Sequence, residues 1–196
     1  MLKEVSAVIQ QEMDGVSLNT LIIVSVWACV LVCVVFLVRS LVFRKDSSIG
    51  TILIVLAGTV YLCGLIYITL GSRELGSRDD ARLIPFLNLY QKNGSLNRTA
   101  FILMMLNIVL FIPLGFFMTL LLRKQKNLTS FVSVVVVSFF ISCAIEITQR
   151  VAKLGYLELE DMICNTFGGF LGFMIGIFIL YMVRLNTEKH RTSIDF

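Results

Sequence analysis

Charge is scarce in this chain: Asp, Glu, Lys and Arg make up 15% of its residues against 57% hydrophobic ones, and the mean hydropathy is +0.88. An average soluble domain carries roughly 25% charged residues. A soluble fold is therefore excluded. Histidine is nearly absent, with His190 alone in the polar tail, so the apolar segments have neither a histidine-based metal site nor a Ser-His-Asp arrangement. Cys29, Cys33, Cys63, Cys143 and Cys164 fall inside or beside apolar segments, at no spacing that resembles a disulfide framework or zinc site. They read as small apolar packers, and no metal or cofactor is expected. The net charge of +4 sits in short blocks between apolar segments, where Lys and Arg set orientation and meet headgroups. Nucleic acid is not a partner.

Long apolar runs are what the chain does have. Leu18 to Val38, Gly50 to Leu70, Thr99 to Leu122, Leu128 to Thr148 and Met162 to Val183 are each near the ~20 residues a spanning helix needs. The fold class is all-α, a polytopic transmembrane bundle of about five spans. Residues 1–17 form a polar or interfacial segment, 18–48 a first helix with a basic loop, 49–184 the membrane core and 185–196 a tail. Acidic Glu4, Glu12 and Asp14 precede the first run, so it is expected to be retained rather than cleaved as a signal peptide. Pro113, inside the third run, removes a helix hydrogen bond and should bend it. The loop 71–98 is polar but encloses Leu83, Ile84, Pro85, Phe86, Leu87, Leu89 and Tyr90. It lies in the interface as an aromatic anchor or dips back between helices.

Nine basic residues sit in compact blocks at 39–48, 123–127 and the tail, against eight spread over Lys3, the long loop, Arg150 and Lys153. Compact blocks at helix ends weigh most, which places the N-terminus outside and the C-terminus in the cytoplasm of a plasma membrane. Glu146, Asp161, Asn165 and Asn107 then gather toward the outer face. Glu146, Gln149 and Arg150 share one side of the fourth helix. Asp161, Asn165, Gly168, Gly172 and Gly176 form one stripe down the fifth, polar above and bare below. The glycines let a neighbouring backbone approach.

A charged side chain inside the bilayer costs roughly 2.5–3.5 kcal/mol, so Glu146 and Asp161 should hold basic partners such as Arg78, Arg82 or Arg150, or face water and a ligand. The alternative is interhelical hydrogen-bond glue, at about 0.6–2 kcal/mol per bond. Two carboxylates near one depth favour a site. Arg73, Arg78, Asp79 and Asp80 also fit an ordinary solvated surface.

Leu83-Ile84-Pro85-Phe86, then Asn107 through Ile112 to Pro113-Leu114-Gly115-Phe116, then Glu146 with Gln149, then Asp161 with Asn165-Thr166 and Gly168 or Gly169, resemble in that order the VanZ-like membrane protein family. The resemblance covers roughly residues 50 to 184. Where the family carries an Asn before Leu-Ile-Pro-Phe, this chain has Arg82; where it carries an Arg and an Asp ahead of the aspartate, this chain has Gly155 and Glu158. Glu158 keeps a carboxylate there, and Lys153 and Arg150 are the nearby bases. The resemblance implies low-level resistance to teicoplanin-type lipoglycopeptides; spacing and charge together with these motifs make Glu146, Gln149, Asp161, Asn165, Asn107, Arg82, Arg78 and Glu158 the candidate ligand-binding residues. Pro85, Phe86, Pro113, Gly115, Gly168, Gly169, Gly172 and Gly176 are then structural. Three functions stay open: a membrane protein that binds a lipid-linked cell-wall precursor or the drug's lipid tail, an intramembrane enzyme using Glu146 or Asp161 as acid or base, and a structural subunit that homo-oligomerises through its glycine stripe. For the enzyme, Ser142, Cys143, Cys164 and Thr166 are near but form no nucleophile motif.

Overall fold

A computed structural model describes residues 2–13, 17–43, 48–71, 81–82, 84–86, 89–90, 94–154 and 157–192. Arg78 and Gly155 lie outside these residues, as does the side chain of Arg82. Among the described residues the chain forms α1 (Leu2–Met13), α2 (Leu18–Phe43), α3 (Ile49–Ile66), α4 (Arg98–Leu121), α5 (Asn127–Val151) and α6 (Leu159–Thr192). Four segments, Ile49–Leu70, Arg98–Leu121, Asn127–Val151 and Leu159–Thr187, are long and apolar enough to cross a membrane; the apolar part of α2, Asn19–Cys33, is shorter. The helices run past the apolar runs at both ends of α6 and at the end of α5, because polar residues at the membrane surface continue a helix at little cost.

Backbone approach decides which helices meet. A Cβ on Gly168 would collide with the Ile108 carbonyl oxygen, one on Gly172 with that of Ile112, and one on Gly115 with that of Gly169. Only glycine leaves room for α4 and α6 to lie this close, an arrangement suited to Cα–H···O contacts. Gly169 faces the other way, against Ser138 of α5. The glycines of α6 are thus covered by α4 and α5 of the same chain. On its other side α4 meets α3, where Leu65, Phe111, Leu114 and Ile145 form the buried apolar core. Helix α4 continues through Pro113. The Tyr61 hydroxyl of α3 donates to the Leu110 carbonyl at 2.5 Å, beside the Val109 carbonyl that Pro113 leaves without its usual donor.

Two features escape helical periodicity. After α3 the chain widens into a π turn, Tyr67–Gly71. Further on, β1 (Ala81–Arg82) pairs in parallel with β2 (Leu157–Glu158), with Ala81 opposite Leu157 and Arg82 opposite Glu158. The loop expected to lie in the interface or dip between helices is therefore tied in part by a ladder to the α5–α6 connection. A pairing so distant in sequence and only two residues long leaves no pattern in either segment.

Helix α5 ends without glycine. Lys153 takes the left-handed conformation (φ 55), Leu154 N–H bonds Gln149 O at 2.8 Å, and Lys153 N–H bonds Arg150 O at 3.2 Å. This is the Schellman pattern, with Leu154 buried as its apolar contact. A β-branched side chain is strained at this φ. Lys153→Val is expected to unfold more easily than Lys153→Gly by about 1–2 kcal/mol, read as thermal unfolding in detergent.

Candidate functional site

The site is built on one face of α5. Ser138, Ser142, Glu146 and Gln149 follow at steps of four, four and three and are all buried; Glu146 is 1% exposed. Three of the four bond to different elements. Gln149 Nε2 donates to the Thr69 carbonyl in the π turn at 3.0 Å, Glu146 Oε2 accepts the backbone N–H of Glu158 in β2 at 2.9 Å, and Ser142 Oγ accepts from Asn165 Nδ2 of α6 at 2.8 Å. Because α5 continues to Val151, Glu146 lies more than a turn inside the helix, deeper than half a turn from its end. Its Oε2 takes one donor from a strand N–H.

The carboxylates of Glu158, Glu160 and Asp161 cluster at the start of α6, one oxygen of each lying within 4.8 Å of the others. The first turn of a helix favours negative charge through its free N–H groups. Glu160 also reaches the long loop. Its Oε2 accepts the backbone N–H of Phe86 at 2.8 Å, and Phe86 itself takes a left-handed φ of 62. The Ile84-Pro85-Phe86 turn is thereby pinned to the mouth of α6, with Ile84 and Phe86 exposed. Of the described residues these three carboxylates are the set that could hold a cation, although exposed acidic residues group in this way without one.

The structure brings Glu146, Gln149, Asn165 and the Glu158 backbone into one network, with Asp161 and Glu160 at its rim. Arg82 contributes its backbone to β1, opposite Glu158. Asn107 is half-buried on α4, one turn before Phe111 of the core. Ser138, Thr69 and Glu160 are residues here that sequence reasoning missed, and Ser142 was named only as lying near. The spacing of Ser138, Ser142 and Glu146 carried a signal for the two serines; Thr69 acts through its carbonyl and Glu160 through a distant loop, and neither leaves one.

Four apolar helices joined around a buried polar cluster at one end define a polytopic helical membrane protein. The chain belongs to the VanZ/LLP1 family, whose model matches residues 24–181. That match starts within α2, ahead of the span of roughly residues 50 to 184 that the resemblance covers. The chain is also similar to Protein VanZ of Enterococcus faecium, 30% identical over 119 residues that cover 58% of this chain and 66% of that relative, just under two thirds of its length. No solved structure matches it.

Proposed function

We propose that this protein lowers sensitivity to teicoplanin-type lipoglycopeptides from the outer face of the plasma membrane, by engaging a lipid-linked cell-wall precursor or the drug's lipid tail at the α5–α6 end of the bundle. One observation carries the reading: Glu146, a carboxylate in an apolar helix, is buried and bonded to the backbone of the strand at this end. Exposed Ile84 and Phe86 can meet acyl chains, while the Glu158, Glu160 and Asp161 rim offers acceptors to a polar headgroup. The reading takes this end to face outward, the N-terminus outside and the C-terminus in the cytoplasm, as the compact basic blocks favour. A reporter fused after Phe196 that is active only when exported should stay silent; activity would reverse the orientation. Alanine at Glu146 and at Asp161, each checked for membrane level, should remove protection, and full protection by both would displace the site.

A second reading is favoured by a specific observation. Gln149, Glu146 and Asn165 each have a protein partner, so the network also fits interhelical glue. Glue asks only for hydrogen-bond acceptors and donors, whereas a ligand site uses the carboxylate charge.

A further inference from the structure

Two polar atoms on the seam between α5 and α6 are buried with no hydrogen-bond partner in the structure: Ser138 Oγ and Asn165 Oδ1. Their residues are 0% and 5% exposed. They belong to one place. Asn165 Nδ2 donates to Ser142 Oγ; Ser138 lies one turn along α5 from Ser142 and rests against Gly169, which lies one turn along α6 from Asn165. A helical turn is about 5.4 Å, within the roughly 5.6 Å that two hydrogen bonds through one bridging atom span at most. An unmet buried polar group costs about 1–3 kcal/mol, and two about one turn apart on one seam call for a common partner.

The chemistry of the seam selects that partner. A carboxamide presents either its oxygen or its nitrogen to the side away from Ser142, and a serine hydroxyl donates or accepts. No ionised group belongs to the Ser138, Ser142 and Asn165 set, so an ion gains no counter-charge there. The occupant must be small, neutral and able both to donate and to accept. Buried waters typically make about three hydrogen bonds, and three polar side chains meet here. We infer that one water molecule is held between Ser138, Ser142 and Asn165, a turn or more deeper in the bundle than Glu146. It fixes the orientation of the Asn165 amide and extends the polar network to the glycine seam, where Val134, buried on the next turn of α5, ends it. The inference stands whether or not the site binds an envelope lipid.

The test is a structure of the full chain at a resolution that shows ordered waters, with thermal unfolding of variants alongside. Density within hydrogen-bonding distance of both Ser138 and Asn165 is the expected result. Seam density that is absent, with Ser138 Oγ turned instead to the Val134 carbonyl, would overturn it. Ser138→Ala, compared with Ser133→Ala to remove intrinsic helix preference, should lower the unfolding temperature by about 2–4 °C. An unchanged or higher temperature would mean that the hydroxyl holds no partner and would overturn the inference.

Discussion

Gly172→Leu should leave no monodisperse folded protein in detergent, and Gly172→Ala should cost about 1–3 kcal/mol of stability. A Cβ at Gly172 meets the Ile112 carbonyl oxygen and the Phe116 backbone nitrogen, which are helix backbone and cannot swing aside as a side chain does. The whole α4–α6 contact would have to open, and Gly168 and Gly115 sit in the same contact. Two glycines provide the contrast. Nothing lies within 4 Å of a Cβ at Gly64 or Gly50, so Gly64→Ala, in the last turn of α3, should be neutral or gain up to about 1 kcal/mol of helix propensity. Thermal unfolding of the three variants in one detergent checks the set. A stable Gly172→Leu would mean that α4 and α6 are not packed through these glycines.

Glu146→Ala should loosen the α5–α6 connection before it loosens any spanning helix. It deletes a charge-assisted acceptor for the Glu158 N–H, a bond worth about 1.5–3 kcal/mol. Hydrogen exchange at Glu158 should then speed up by about tenfold to a hundredfold, at roughly 1.4 kcal/mol per factor of ten. Arg82, opposite Glu158 in the ladder, should follow. Amides in α4 should not change. Glu146→Gln retains an acceptor oxygen and should keep exchange at Glu158 within a few-fold of the natural protein. Equal exchange in Glu146→Ala would show that this carboxylate does not hold the strand.

The spans were legible because membrane helices announce themselves by composition: 18 or more apolar residues have few other uses. The polar face of α5 was half legible. Glu146 and Gln149 stand out by the cost of burying them, whereas Ser138 and Ser142 are small enough to pass for packing residues in an apolar helix. The stripe from Asn165 to Gly176 was legible in spacing, but the neighbour it serves was not; that α4 lies against it follows from Gly115 and Ile112, residues with no periodic signal of their own. The strand pair and the Phe86 turn were illegible. Backbone groups make the strand pair and supply the donor that pins the Phe86 turn, and backbone groups are the same in every residue.

Whether the buried carboxylate serves a ligand or only the fold turns on its charge, since an amide replaces it as an acceptor but not as an anion. The direct measurement is teicoplanin susceptibility of cells carrying the natural protein or Glu146→Gln at matched membrane levels, with the variant shown to unfold at a similar temperature. Loss of protection by a folded Glu146→Gln is the expected result. Full protection would contradict the account and assign Glu146 to holding the helices together.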